Sequence, residues 1–302
     1  MKKNLLLFLL PVLLLSCKTQ KLDNQFSIVD IGSTQISTFA EIINNKPENP
    51  DEILVRKIYI PNKELWEGYL GDENDFLKWT NEKALSQADL WKENKEVNSQ
   101  ILSDELKKYA KEMSVFTGYK PKGKWYLVYG PAFTDLGGLS NGVMLIDLAN
   151  KVNINNNIII NLYPHELNHQ IYSVTKPQTE KIVLDRIIDE GFATYVSYIF
   201  HKKKYTKADE LKYTEEEFQY CISNEDKLIG LLKKYYLSND ENQSRDFASR
   251  NYKIGEKYPG AIGYYLGFRI VEEFVKRNGE DSWKKIYTMK PIEVLEQSFL
   301  LK

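Results

Sequence analysis

Two histidines set four residues apart beside an apolar run constrain this chain more than any other feature of its sequence. Residues 163–170 read Y-P-H-E-L-N-H-Q, and residues 158–160 before them are three isoleucines. Residues four apart lie on one face of an α-helix, about one turn from each other. The pattern therefore predicts a helix over residues 156–173 that presents His165 and His169 side by side. Pro164 either lies in the first turn of this helix or kinks it.

The spacing of these histidines is typical of a metal site. Two imidazoles on one helix face can bind one Zn²⁺, and Glu166 can reach the open coordination position and take a proton from water there. The chain has three histidines, and two of them occupy this pattern. The alternative is an ordinary helix whose two histidines are solvated or hydrogen-bonded in the core.

A catalytic zinc ion needs a third protein ligand. Residues 184–195 read L-D-R-I-I-D-E-G-F-A-T-Y, and they place Glu190 on a helix face that is apolar on its N-terminal side. A buried carboxylate needs a cation, and zinc would supply one. His201 is a weaker candidate, because three lysines follow it at a solvated helix end. Alternatively, Glu190 and Asp189 are surface carboxylates, or Asp189 orients a histidine from outside the ligand set.

The order of predicted elements is a few strands followed by many helices, which indicates an α+β fold. Apolar β-rich runs predict strands, and helical spacing of apolar residues predicts helices. Strands are expected at residues 26–31 (a short edge strand), 52–60, 124–129 and 143–148; helices are expected within 63–113 and at 156–173, 179–201 and 262–277. We expect one domain over residues 51–302, with an α/β part to residue 175 and a helical part from residue 176.

The N-terminus indicates export and a lipid anchor. Two lysines precede an apolar run over residues 5–15, which is shorter than the roughly 20 residues of a membrane-spanning helix. The run ends in L-L-S-C and resembles a lipoprotein signal. We therefore expect a signal peptide over residues 1–16, acylation of Cys17 and a polar tether over residues 17–50. An ordinary secretory signal with a chance cysteine is the alternative. Lys18, where an aspartate would favour the inner membrane, favours the outer membrane.

Composition excludes some classes of function. The net charge is −1 with both signs interspersed, which argues against a nucleic-acid-binding protein. The second cysteine, Cys221, has no partner for an intrachain disulfide if Cys17 carries lipid. An exported chain of this kind must be stabilised by its core.

The motifs together resemble those of gluzincin metallopeptidases, in which H-E-x-x-H is followed about twenty residues later by E-G-x-A. Residues 190–193 read E-G-F-A, and residues 263–271 read G-Y-Y-L-G-F-R-I-V. These motifs are similar in particular to those of zinc-dependent protease lipoproteins of Bacteroidetes-like bacteria, including relatives of gliding-motility lipoproteins. The resemblance spans roughly residues 120–280 and rests on a few short motifs.

The resemblance implies a zincin-like fold with a small mixed or antiparallel sheet, an active-site helix and a helical C-terminal part. It implies one Zn²⁺ held by His165, His169 and Glu190, with Glu166 as the base. It implies a tyrosine as oxyanion donor, either Tyr264 or Tyr265, with Tyr258 as a third choice. Core packing of these aromatics is the alternative.

The zincin fold also implies an edge strand beside the metal helix that holds an extended peptide. Residues 142–147 are either that edge strand or an interior strand. Gly137, Gly138 and Gly142 are either a mobile lip of the cleft or plain turn residues.

The expected function is a membrane-anchored zinc peptidase that hydrolyses peptide or protein substrates at the outer membrane. The first alternative is a non-catalytic lipoprotein of the same fold that binds an envelope partner. The second is a metal-dependent hydrolase of another bond, such as an ester. The intact Glu166 favours an enzyme, because a scaffold has no need of a base.

Overall fold

The computed structural model describes residues 26–94, 96–139, 142–179, 181–255 and 257–301. The expected signal peptide and Cys17 lie outside these residues. The described part is an α+β fold in which helices flank a small mixed sheet. Among its helices, none is both long and apolar enough to cross a membrane.

The sheet has four strands in the order β1-β2-β4-β3. β1, β2 and β4 run parallel, and β3 pairs antiparallel with β4 at the outer edge. The strands are β1 Phe26–Asp30, β2 Gly123–Val128, β3 Leu136–Gly138 and β4 Met144–Asp147. The edge strand at 26–31 and the strands at 124–129 and 143–148 are thus confirmed. Because β4 pairs on both sides, the strand expected within residues 142–147 is an interior strand. β3, with its two glycines, is the edge strand at the end of the sheet opposite β1.

The two faces of the sheet bury different side chains. Trp125 and Leu127 of β2 belong to one core cluster, and Tyr126 and Val128 belong to another. This alternation follows from the two-residue period of a strand. The first cluster packs against the helix Ser99–Thr117 and the C-terminal helices, and the second packs against the other N-terminal helices.

The N-terminal helices correct the expected tether. Apart from the edge strand at 26–31, residues up to 50 were predicted to be a flexible tether, yet they contain helix α1, Gly32–Asn45. Phe39 is fully buried, and the Gln35 side chain donates to Tyr129 O at 2.7 Å and accepts from Tyr129 N at 2.9 Å. Polar residues that suggested a tether are therefore hydrogen-bonded in the interior. The part of the predicted tether before residue 26 lies outside the described residues.

Residues 52–60 were predicted to form a strand, and this prediction was wrong. They continue helix α2 into a π-helical turn and a short 3₁₀ turn. Leu54 and Ile58, four residues apart, are both fully buried, so helical packing on the sheet overrides the β-branched propensity of the segment. The helices of the N-terminal part are α2 Pro50–Leu54, α3 Lys63–Tyr69, α4 Glu73–Trp79, α5 Leu85–Glu93 and α6 Ser99–Thr117.

The C-terminal part is helical, as predicted. Its helices are α7 Asn156–Thr175, α8 Val183–Phe200, α9 Lys207–Glu210, α10 Glu215–Ser223, α11 Glu225–Tyr235, α12 Glu241–Ala248, α13 Ile262–Asn278 and α14 Pro291–Ser298, with a 3₁₀ helix at Glu280–Thr288. Pro164 lies well inside α7, so the first-turn alternative is wrong. Because proline has no N–H, the carbonyl of Ile160 lacks its α-helical partner.

Two glycines let α8 and α13 pack backbone against backbone. A Cβ atom added to Gly191 would lie 2.1 Å from the carbonyl carbon of Gly267. A Cβ added to Gly267 would lie 2.0 Å from the carbonyl oxygen of Ile187. Side chains at either position would force the helices apart. The contact fixes the position of Glu190, which directly precedes Gly191.

Candidate metal centre

Helix α7 places two imidazoles against each other at its centre. The Nε2 atoms of His165 and His169 lie 3.0 Å apart, and the rings meet edge to face with their centroids 4.6 Å apart. Both side chains are less than one-fifth exposed. The helical spacing read from the sequence therefore brings both nitrogens to one point.

Helix α8 brings Glu190 to the same point. Its Oε2 atom lies 3.1 Å from His169 Nε2 and 3.4 Å from His165 Nε2. Glu190 is only 2% exposed, so it is not a surface carboxylate. Although burial opposes ionisation, His169, His165 and the nearby Arg186 hold the pKa of Glu190 well below its usual range.

These three residues fit a divalent metal ion. Their nearest donor atoms all lie within 4.8 Å of one another, and the group comprises two imidazole nitrogens and one carboxylate oxygen. Two histidines and one glutamate are a ligand set of catalytic zinc, which keeps one position open.

Asp189 orients His169 from behind. Its Oδ1 atom lies 2.8 Å from His169 Nδ1, and its Oδ2 atom lies 3.5 Å from Lys176 Nζ. A carboxylate only accepts hydrogen bonds, so Nδ1 carries the hydrogen and Nε2 faces the cluster. The geometry thus agrees with the orienting role weighed for Asp189.

In the metal-free chain, His169 itself holds a proton. Burial would lower the pKa of His169, but the charges of Glu190 and Asp189 outweigh it and raise that pKa well above the usual range. A metal ion that binds through His169 would have to displace this proton.

Arg186 was missed by the sequence analysis. Its Nη2 atom lies 2.7 Å from Glu190 Oε1, the oxygen that does not face the histidines. The sequence did contain a signal for this ion pair, because Arg186 precedes Glu190 by four residues on one helix face. Arg186 holds the carboxylate with its other oxygen turned toward His165 and His169.

Glu166 lies beside the histidine pair at the junction of two cavities. It lines a cavity of about 670 Å³ along β3 and a second of about 340 Å³ toward α9 and α12. Asp135 and Tyr264 also line both cavities, so the two form one cleft across the cluster. Burial, with the negative charges of Glu190 and Asp135, raises the pKa of Glu166 despite the two histidines. A carboxylate with a raised pKa is a stronger base for a proton from water.

Gly137 keeps the β3 side of the cleft open at Glu166. Its φ of 142° is one that few other residues adopt, and a Cβ added there would lie 3.5 Å from Glu166 Oε2. Gly137 and Gly138 belong to the edge strand, and Gly142 has a φ of 83° just before β4. The glycines therefore shape one wall of the cleft.

Of the three candidate tyrosines, only Tyr264 reaches the cluster. Its ring is parallel to His165, with centroids 6.0 Å apart, and its hydroxyl lies close enough to the Glu190 carboxylate to feel its charge. Burial and the charge of Glu190 raise the pKa of Tyr264, so the hydroxyl stays protonated. The structure corrects the expectation for Tyr265, whose hydroxyl lies 3.0 Å from Glu225 Oε1 because consecutive helical residues face different sides. Tyr258 instead packs near Tyr220.

His201, the weaker third-ligand candidate, lies elsewhere. Its Nδ1 atom is 2.8 Å from Glu210 Oε1, and the Ser197 hydroxyl donates to Glu210 Oε2 at 2.9 Å. The carboxylate of Glu210 thus holds His201 at the end of α8. Glu190, three turns earlier on the same helix, occupies the position beside the histidine pair.

The C-terminal part of the chain resembles a known protein family. Residues 152–299 match the family model described as "Gliding motility protein GldB". This range contains α7, α8 and α13, and therefore all the cluster residues. No curated protein and no solved structure matches the chain. The C-terminal part of the chain is thus similar to a family of gliding-motility lipoproteins associated with the cell envelope.

Proposed function

We propose that this chain is a lipid-anchored zinc peptidase of the bacterial cell envelope. One observation carries the proposal: the carboxylate of Glu190, 2% exposed, lies within 3.4 Å of two imidazole nitrogens from another helix. Burying ionised groups costs several kcal/mol each unless partners offset it. A zinc ion on His165, His169 and Glu190 offsets that cost and leaves one position open.

When bound, zinc supplies Lewis acidity toward a water molecule and toward the carbonyl of the scissile bond. Glu166 has a raised pKa and takes the proton that the attacking water loses. It then returns this proton to the amine of the leaving peptide. Tyr264 stays protonated and would donate a hydrogen bond to the carbonyl oxygen of the scissile bond as negative charge develops on it.

The substrate binds along β3. This strand pairs with β4 on one side and lies at the outer edge of the sheet, and its Gly137 faces Glu166. An extended peptide that pairs with the free edge would present its main-chain carbonyl to the cluster. Because main-chain atoms make the contact, this mode of binding depends mainly on the peptide backbone and little on its side chains.

The anchor rests on two independent features. Residues 14–17 resemble a lipoprotein signal, with Cys17 as the acylated residue. The match of residues 152–299 to a gliding-motility lipoprotein family supports the same placement. We propose attachment to the outer membrane, because Lys18 follows the cysteine.

The test compares the wild type with Glu166→Gln, using a mixture of fluorogenic peptides and measuring zinc content in parallel. We expect both proteins to hold one zinc ion, and hydrolysis by Glu166→Gln to fall by about 10²–10⁴-fold. Glu112→Gln, an exposed glutamate on α6, serves as the matched control and should hydrolyse the peptides normally. A wild type without zinc, or a Glu166→Gln variant with full activity, would remove the peptidase proposal.

The same experiment distinguishes the non-catalytic alternative. If the wild type holds zinc but cleaves no peptide faster than Glu166→Gln does, a scaffold lipoprotein with a structural metal becomes the better account. If the wild type cleaves esters and not peptides, the chain is a hydrolase of another bond.

A further inference from the structure

Two cations form one wall of the smaller cavity, on the side of Glu166 away from β3. The cavity of about 340 Å³ is lined by Lys212, just after α9, and by Arg250, just after α12. Its border with the larger cavity is formed by Glu166, Asp135 and Tyr264. The cavity is therefore positive at one end and negative where it meets the metal cluster.

Arg250 contacts the loop that carries Lys212. Arg250 donates from Nη2 to the carbonyl oxygen of Leu211, and its guanidinium lies 4.5 Å from the centre of the Tyr213 ring. Lys212 lies between these two residues with a φ of 56°, in the left-handed region that a lysine seldom adopts. Arg250 is thus bound to the same loop that carries Lys212.

Neither cation is neutralised by the protein. Across residues 26–301 as described, no carboxylate oxygen lies within 4 Å of the Lys212 ammonium or the Arg250 guanidinium. Glu210 lines the same cavity, but its two oxygens are taken by His201 and Ser197. Burial lowers the pKa of Lys212 although Glu210 and Asp209 raise it, and Arg250 adds a smaller lowering. An anion between the two cations would supply the close ion pair that the described residues do not form with them.

We propose that Lys212 and Arg250 bind a carboxylate of the peptide whose scissile bond lies at Glu166. This inference rests on the proposed peptidase function and adds a substrate class to it. A free C-terminal carboxylate and an acidic side chain offer the same chemistry to a guanidinium and an ammonium. Peptides with a carboxylate a short distance beyond the scissile bond are therefore the preferred substrates.

The experiment measures peptide binding rather than cleavage. The full chain carrying Glu166→Gln is titrated with fluorescein-labelled hexa-alanine as the free acid, as the C-terminal amide, and as an amide with one internal glutamate. We expect the acid or the glutamate peptide to bind about tenfold tighter than the plain amide. Which of the two binds tighter identifies the source of the carboxylate.

Variants then assign the preference to the cations. Adding Lys212→Met or Arg250→Gln should remove the tenfold preference and leave the affinity for the plain amide unchanged. Lys203→Met is the matched control, because Lys203 is an exposed lysine with a φ of 58° that does not line the cavity, and it should retain the preference. Thermal unfolding of each variant checks that it folds.

Failure of this inference is separate from failure of the peptidase proposal. Equal affinity for all three peptides, no binding of any of them, or a preference that survives Lys212→Met and Arg250→Gln overturns the carboxylate site, even if the wild type hydrolyses peptides. A carboxylate preference that Lys212→Met removes upholds the site, even if the wild type cleaves nothing.

Discussion

The two faces of the sheet are covered by different kinds of buried side chain. On the face toward α1–α5, Phe39, Trp66 and Phe76 are fully buried, and the rings of Trp66 and Phe76 pack 4.9 Å apart. On the face toward α7, an apolar core also covers the sheet, but the helices behind it enclose His169 and Glu190. One face is held mainly by apolar packing, and the other includes a charged cluster that a bound cation would stabilise.

The cost of that cluster explains the contrast. Removing ionised groups from water costs several kcal/mol each, and partial neutralisation offsets only part of it. Glu190 and Asp189 are compensated in the metal-free chain by protonated His169, by Arg186 and by Lys176. On the face toward α1–α5, the buried carboxylate of Asp147 is instead satisfied by hydrogen bonds from the Tyr69 hydroxyl and from the backbone N–H groups of Gly130 and Ala132. Metal should therefore stabilise the helical half and have little effect on the stability of the N-terminal packing.

Removal of a metal ligand should have the largest effect. The free energy of zinc binding in small domains is about 10–16 kcal/mol. Loss of one protein ligand in three should therefore weaken zinc binding by more than about a thousandfold. We expect His169→Ala to abolish binding at micromolar zinc and to abolish hydrolysis. His201→Ala, which removes the one histidine outside the cluster, should keep both. Competition with a chromogenic chelator measures the affinities, and equal affinities in the two variants would contradict the assignment.

Truncation of a buried ring on each face sharpens the comparison. Phe39→Ala should cost about 3–5 kcal/mol in the free energy of unfolding and leave the zinc affinity of the folded protein unchanged. Phe192→Ala should reduce the free energy of unfolding by a similar amount and also weaken zinc binding. Phe192 lies two residues from Glu190 and packs on Tyr172 of α7, the helix that carries His165 and His169. Urea unfolding measures the free energy of unfolding, and zinc titration measures the zinc affinity of the folded protein. Weakened zinc binding by folded Phe39→Ala would break the separation of the two faces.

Proton release should give the smallest effect. The pKa of His169 is raised in the folded, metal-free chain, chiefly by Glu190 and Asp189 against the effect of burial. The resulting stabilisation is fully present below the unfolded pKa of about 6.5 and is lost as the pH rises through the higher folded value. Zinc requires neutral His169, so binding at pH 7 should release about one proton. Calorimetric titration in two buffers of different ionisation enthalpy measures this number, and a value of zero would contradict a protonated His169.

The sequence predicted the local elements of the site better than the N-terminal fold. Four-residue spacing fixes the relation of His165 to His169, because both lie on one helix. Glu190 could be placed by its motif, since E-G-F-A carries the glycine that lets α8 approach α13. Tyr264 and Tyr265 could not be separated, because their facing depends on how α13 packs. Distances between α7 and α8 are likewise set by tertiary contacts.

The N-terminal errors have a different physical origin. Residues 26–50 are polar in composition, yet Gln35 makes paired hydrogen bonds to the Tyr129 backbone inside the core. Residues 52–60 have β-branched side chains, yet their burial pattern is helical. Lys212 and Arg250 come from segments that the sequence analysis left unassigned, and no local pattern joins them. In each case the missing information is the long-range contact.

Anomalous X-ray diffraction from crystals of the purified chain, recorded on both sides of the zinc absorption edge, tests the central claim most directly. We expect one anomalous peak within coordination distance of His165 Nε2, His169 Nε2 and Glu190 Oε2, present above the edge and absent below it. A difference map with no peak at this position, or with Glu190 turned away from a peak held by other residues, would contradict a zinc centre built from these three side chains.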